Sequence, residues 1–383
     1  MSKPTVTPVA GEHAVRKYQR IYRELREAII SAVYKDGDKL PSEADLVERF
    51  GTSRLTVARA LRELQSEGLI ERRAGSGTYA RKPETSFQQH IFGLLIPDLG
   101  RTEIFEPICQ GMAQARQSNT YSLLWGNASQ DEQSNELQVE QLTEQYIDTK
   151  VSGVFFAPLE LSANKDEVNR RIVDVFDRAN IPVVLLDRDI HAYPQRSRYD
   201  VIGIDNRRAG YTVTEHLLKL GCRRIVFIGR PSSAPTVDAR IAGYREALHA
   251  YGAELNPDFV QRVDPSDEKV IGKIVKTLRP EAFVSANDYS AGLLMRSLAV
   301  LDVRIPQQVR IVGIDDVKYA SLLPVPLTTL HQPCRAMGAA AVAAMLERVA
   351  QPDTPARDIL LDFRLIVRQS CGATLSKASP DRL

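Results

Sequence analysis

Apolar residues at Tyr18, Ile21, Tyr22, Leu25, Ile29 and Val33 keep the three- and four-residue spacing of one helix face. The pattern predicts an amphipathic helix that stops at the turn Asp36-Gly37-Asp38. Ser42 then opens a run with Leu46, Val47 and Phe50 on one side, and Asp45 three residues on completes a capping-box pattern. Gly51 ends this second helix. Ser53 caps a third, whose inward face is Val57, Ala60, Leu61 and Leu64, and Gly68 ends it. Residues 69–73 and 78–80 flank Gly75-Ser76-Gly77, which reads as a short hairpin with a glycine tip. Helix, helix-turn-helix and hairpin together make a winged helix-turn-helix.

Further along, the period changes. Continuous apolar runs begin at Ile91, Tyr121, Val151 and Ile181, thirty residues apart, with helical stretches predicted at 105–118, 133–149 and 166–180. Further runs occupy 201–204, 224–228, 282–285 and 310–314. Short apolar strands alternating with helices are the signature of buried parallel sheet. So many βα units exceed one simple doubly wound sheet and predict two lobes. The expected organisation is a flexible N-terminus at 1–15, a winged helix-turn-helix at 16–82, a polar linker at 83–89, a two-lobed α/β body at 90–372 and a tail at 373–383.

Charge sharpens this division. The chain carries +2 overall, yet residues 16–82 hold 15 Lys and Arg against 10 Asp and Glu. A basic head on a mildly acidic body suggests a polyanion partner for the head alone. Arg54, in the first turn of the third helix, is the expected guanine contact, with Ser53 and Thr56 beside it. A capped helix N-terminus presents free N–H groups to phosphate, which adds Ser42 and Ser53 to the expected DNA surface. Gly75 and Gly77 let the wing backbone come close to DNA, and Arg72, Arg73, Arg81 and Lys82 add phosphate contacts. Four scattered cysteines and six histidines form no metal-ligand spacing, so neither a metal nor a cofactor is expected. The first residues lack an apolar signal region and no long apolar run is present, which predicts a cytoplasmic protein without a membrane span.

Polar residues close the apolar runs of the body at Pro97-Asp98, Asp187-Arg188, Asp205-Asn206, Asn287-Asp288 and Asp315-Asp316. Ligands of open α/β sheets bind outside the carboxyl ends of the strands. Asp, Asn and Arg there supply the mixed donors and acceptors that vicinal hydroxyls need. Trp125 is a candidate to stack on a sugar face. Strand-end Asp and Asn are also common turn formers and helix caps, so both readings stay open at each position.

Two resemblances follow from these residues. Leu40-Pro41-Ser42-Glu43, Ser53-Arg54-Leu55-Thr56-Val57, Glu67-Gly68-Leu69-Ile70 and Gly75-Ser76-Gly77-Thr78-Tyr79 closely resemble the GntR-family DNA-binding domain. That resemblance implies DNA contacts from Ser53, Arg54, Thr56 and the wing near Gly75 and Gly77. The family usually has an arginine after the valine; here Ala58 stands there and Arg59 follows, facing another direction but still outward, and is an expected DNA contact, to phosphate rather than to the base that the family's arginine reads. Ile202-Gly203-Ile204-Asp205-Asn206, Arg240-Ile241-Ala242-Gly243-Tyr244, Ser285-Ala286-Asn287-Asp288 and Val312-Gly313-Ile314-Asp315-Asp316 resemble the LacI/GalR effector-binding domain, of periplasmic-binding-protein type. It implies a small, sugar-like effector held between two lobes by Asp187, Arg240, Asn287 and Asp315. Cys334 stands where some sugar sensors of that family carry a stacking aromatic.

The expected function is therefore a ligand-responsive, DNA-binding transcriptional regulator, a dimeric repressor of palindromic operator DNA. A sugar kinase or dehydrogenase is disfavoured, because no Walker loop and no GxGxxG after a strand occur. An exported sugar-binding transport component would have no use for a DNA-binding head.

Overall fold

The computed structural model describes residues 10–31, 33–73, 75–81, 90–97, 104–115, 120–126 and 135–373. Its contacts divide the chain into two compact units, residues 1–88 and 89–383. The expected linker at 83–89 lies outside the described residues, as do Lys82 and Asp98.

The head contains α1 (Ala10–Ile30), α2 (Glu43–Phe50), α3 (Arg54–Ser66) and a hairpin of β1 (Ile70–Arg73) with β2 (Gly77–Ala80). Ile21, Leu25 and Ile29 of α1 close a core with Leu46, Val57, Ala60, Leu61, Leu64, Leu69 and Ile70. Two expectations need correction. The helix starts at Ala10, six residues ahead of the expected start of the head at 16, with no proline between Ala10 and Ile30 to interrupt it; residues 1–9 lie outside the described residues. At its other end it stops at Ile30, before the Asp36-Gly37-Asp38 turn, which leaves Val33 outside the helix and 71% exposed. The segment after that turn joins the wing. Leu40 N–H donates to the Thr78 carbonyl at 2.9 Å and Ala80 N–H to the Asp38 carbonyl at 2.7 Å, which brings Lys39 beside Tyr79.

The body is two parallel sheets. The first lobe has the strand order β13-β7-β6-β5-β3-β4, formed by β3 (His90–Leu95), β4 (Tyr121–Trp125), β5 (Gly153–Phe156), β6 (Val183–Leu186), β7 (Asp200–Ile204) and β13 (Asp358–Leu361). In the second the order is β14-β12-β11-β10-β8-β9, from β8 (Ile225–Gly229), β9 (Val260–Arg262), β10 (Ala282–Ser285), β11 (Arg310–Asp315), β12 (Thr328–His331) and β14 (Arg364–Ile366), with β14 antiparallel to β12. Strands β5, β6, β7, β8 and β10 are buried at every residue, as covered parallel strands should be.

Helices α4 (Phe105–Ala113), α5 (Asn135–Asp148), α6 (Lys165–Arg178) and α11 (Cys334–Ala350) belong to the first lobe. The second holds α7 (Asn206–Lys219), α8 (Pro235–Ala250), α9 (Glu268–Leu278) and α10 (Asp288–Val300). The chain therefore crosses between lobes three times: at Asp205, at Gln332-Pro333 and at Asp362-Phe363. Each lobe contains one tight helix pair. A Cβ on Gly210 of α7 would sit 2.0 Å from the Arg240 carbonyl, and one on Gly243 of α8 would sit 1.8 Å from the Arg207 carbonyl. These two glycines press α8 onto α7 and so fix where Arg240 stands.

Candidate functional site

In the head, both helix-start serines act as caps. Ser42 Oγ accepts from Asp45 N–H at 3.2 Å, and Asp45 Oδ2 accepts from Ser42 N–H at 2.9 Å, a complete capping box. Ser53 Oγ accepts from Thr56 N–H at 3.3 Å and lies 2.9 Å from Thr56 Oγ1. These bonds orient the first turn of α3, where Arg54 is exposed. Arg59 is also exposed, but its guanidinium lies 4.7 Å from the Tyr18 ring centroid. It is folded back on α1 by a cation–π contact rather than extended outward. In the wing, Gly75 (φ +71°) and Gly77 (φ +124°) take up backbone that side chains disfavour, and a Cβ on Gly77 would meet Lys39 Cε at 2.8 Å. Arg72 pairs with Glu43, and Arg73 stacks on Tyr79 at 4.7 Å, so both basic wing residues are tied to the fold. Lys39, missed in the sequence because its strand-like segment is so short, adds a cation at the wing.

In the body, the carboxyl ends of β6, β10 and β11 meet the start of α8 around a cavity of about 580 Å³. Asp187, Arg240, Asn287 and Asp315 all line it, along with Glu160, Arg188 and Arg230. Phe105, Tyr289 and Tyr319 supply ring surface. Two of the acids sit on unusual backbone, Asp187 at φ +68° and Asp315 at φ +129°, the kind of local strain that a surrounding structure holds in place at binding sites.

The charges are cross-braced. Arg188 donates from Nε to the Pro158 carbonyl at 2.8 Å and from Nη1 to Glu160 at 2.9 Å, and it faces Asp187 at 3.4 Å. Arg240 donates from Nε to Asn206 Oδ1 at 2.8 Å and from Nη1 to the Ala286 carbonyl at 2.6 Å, with Asp315 3.9 Å away. Asp315 also accepts from Gln332 Nε2 at 2.7 Å. Burial pushes the Asp315 carboxyl up to about 7, against the pull of Arg240. Burial also raises Asp187, whose Oδ1 is buried without a hydrogen-bond partner among the described residues. For Glu160, burial pushes upward, but Arg188, the Ala234 N–H and Arg240 outweigh it and hold the group below its ordinary value.

The other strand-end residues do different work. Asp205 caps α7 by accepting from Arg208 N–H at 2.9 Å, and Asn206 holds Arg240. Asn287 both lines the cavity and caps α10 through Ser290 N–H at 2.9 Å. Asp288 is fully buried behind the wall, accepting from Thr329 Oγ1 at 2.6 Å and Val317 N–H at 3.1 Å. Trp125 is not a cavity wall: it ends β4 and is 53% exposed, because β4 is the outer strand of its sheet. Cys334 starts α11 and is buried, its thiol raised to about 12 by burial and hence neutral. Glu160 was not legible in the sequence; it follows the plain segment Ala157-Pro158-Leu159, and its partners Arg188 and Ala234 come from 28 and 74 residues further along the chain.

Among the described residues no helix is long and apolar enough to cross a membrane, and no group of His, Cys, Asp or Glu could hold a metal ion.

Comparison with known proteins agrees with this geometry. The profile of bacterial regulatory proteins of the gntR family matches residues 17–80, and that of the periplasmic binding protein-like domain matches residues 214–371. The arabinose metabolism transcriptional repressor of Geobacillus stearothermophilus is 27% identical over 370 residues, 94% of this chain and 98% of the relative. The ribose operon repressor of Escherichia coli is 26% identical over 289 residues, 74% of this chain and 82% of the relative. Among solved structures, the transcription regulator CcpA of Lactococcus lactis has a TM-score of 0.63 at 20% identity, covering 74% of this chain and 99% of that one. A LacI family transcriptional regulator from Enterococcus faecalis, solved with bound ribose, has a TM-score of 0.59 at 25% identity, covering 73% and 98%. Residues 17–80 thus match a gntR-type helix-turn-helix domain, the body has the two-lobed fold of LacI-family regulators, and the chain is a DNA-binding transcriptional regulator with an effector-binding body.

Proposed function

We propose that this regulator is a cytoplasmic, homodimeric repressor whose effector is a neutral sugar of pentose size, bound between the lobes by Asp187, Arg240, Asn287 and Asp315. One observation carries the reading: a single cavity gathers paired charges of both signs. Arg188 is matched by Glu160 and Asp187, Arg240 faces Asp315, and with Arg230 the lining holds three guanidinium groups against three carboxyl groups, so the cavity has no excess of positive charge for a phosphate. A polyol that donates to the acids and accepts from the guanidinium groups fits this balance; a sugar phosphate would add charge without a counter-charge. Relatives named for arabinose and ribose support the same class. On the head, Ser42, Ser53, Arg54, Thr56, Gly75 and Gly77 form the expected operator surface, with Arg54 reading a base. Two heads on a two-fold dimer read the two half-sites of a palindrome. Leu322, 80% exposed beside a hollow lined by Ile104, Pro107 and Ala336, offers an apolar surface for the second copy.

The test is fluorescence anisotropy of the full-length protein on its own upstream DNA, titrated with pentoses, hexoses, their phosphates and purines. A neutral pentose is expected to shift the affinity by roughly 5–150-fold, the sign of the shift distinguishing inducer from co-repressor. Arg54→Ala is expected to abolish specific binding. A response confined to sugar phosphates or purines, or to no compound tested, would remove the neutral-sugar reading.

A further inference from the structure

The outer face of α3 carries a side chain that the expected contacts leave unused. Leu55 is 80% exposed. It stands two residues before Val57, about 200° round the helix, and so points away from the core made by Val57, Ala60, Leu61 and Leu64. Ala58 and Arg62, three and seven residues on, share its face. Arg62 is exposed, its Nε donating to the Ala58 carbonyl at 3.3 Å. The small side chain of Ala58, at a position where gntR-type domains usually have arginine, leaves Leu55 uncovered. The result is an apolar spot, Leu55 with Ala58, bordered by the exposed cations Arg54 and Arg62 on a basic head.

A leucine has no donor or acceptor, so it cannot read the hydrogen-bonding edges of bases. In the major groove it has one apolar target, the C5-methyl group of thymine. We propose that Leu55, backed by Ala58, reads the methyl group of a thymine next to the base contacted by Arg54. The flanking cations hold the apolar spot against the duplex by their attraction to phosphate. This inference rests on the placement of the first turn of α3 in the major groove. Taking one methyl group out of water is worth about fourfold in affinity per half-site.

The experiment uses the full-length protein and a duplex selected by it from a randomised pool. Each thymine of a half-site is replaced in turn by uracil, which deletes the methyl group and leaves the donors and acceptors unchanged. One position in each half-site is expected to weaken wild-type binding about fourfold. Leu55→Ala is expected to bind the thymine duplex more weakly by a similar factor and to show no difference between thymine and uracil at that position. Salt-dependent binding of Leu55→Ala to non-specific DNA, equal to wild type, shows that the head is folded. The proposal is overturned if uracil is neutral at every position, or if Leu55→Ala keeps the thymine preference. Failure to select any duplex would instead overturn the placement of α3 on DNA, and the proposal with it.

Discussion

Asp315 is a cavity residue whose charge is insecure near neutral pH. Its carboxyl is buried, Arg240 stands at 3.9 Å rather than in contact, and Asp187 and Glu160 add negative charge nearby. Burial pushes its proton affinity up to about 7, from an ordinary value of 3.8. Between those values the folded body holds a proton that the unfolded chain has released. The contribution to stability is therefore full below the ordinary value and is lost as pH rises through about 7. Asp315→Asn removes this titration. The melting temperature of the variant minus that of wild type should climb as pH is raised from about 5 to about 8, measured on the body without ligand. A difference that stays flat across that range would show that Asp315 ionises without strain. Asp315, Asp187 and Asn287 were legible in the sequence because they sit where apolar strands stop, and the fold gathers strand ends at one cavity. The conformation of Arg59 was not legible: its contact with Tyr18 depends on how α1 packs against α3, which spacing along one helix cannot show.

Among the helices, α8 shows how the lobes share a binding element. Its first residue is Pro235, and Ala234 at the cap has no side-chain oxygen to offer. Glu160, from the first lobe, accepts from the Ala234 N–H at 3.2 Å while its other oxygen holds Arg188. A second strap lies beside it, Leu161 N–H donating to the Ser232 carbonyl at 2.8 Å. The carboxylate thus caps the helix that carries Arg240 and ties the lobes at the edge of the cavity. Glu160→Ala removes the cap and leaves Arg188 facing Asp187 alone. Sugar affinity by titration calorimetry should fall about tenfold or more, the scale of a lost charged hydrogen bond, while operator affinity without sugar stays at the wild-type value. Unchanged sugar affinity would show that the cap contributes only to shape. Most buried inner strands were readable as continuous apolar runs; the inner β12, with Thr328-Thr329 in place of apolar residues, was not, nor were β9, β13 and β14. The last three are edge strands, β13 alternates exposed and half-buried residues, and short edges leave little pattern. The return of β13 to the first lobe and β14 to the second is a property of chain path, which no local pattern encodes.

At the scale of the whole molecule, two of the three crossings between lobes are hydrogen-bonded to charges that line the cavity. Asn206, just after the first, accepts from Arg240, and Gln332, at the second, donates to Asp315. A ligand that draws Arg240 and Asp315 together would pull on both crossings at once, which would link occupancy of the cavity to the angle between lobes. Linkage requires reciprocity: if the sugar weakens operator binding by some factor, operator DNA must weaken sugar binding by that same factor. Asn206→Ala cuts the bond at the first crossing while leaving Arg240 its contacts with Ala286 and Asp315. Sugar affinity measured without DNA should therefore change only a few-fold, about the value of one hydrogen bond. The coupling factor should fall toward one in both directions, read as operator affinity with and without sugar and as sugar affinity with and without operator. A variant that binds sugar more weakly but keeps the full coupling factor would place the transmission elsewhere in the body, leaving Asn206 as a support for Arg240 alone.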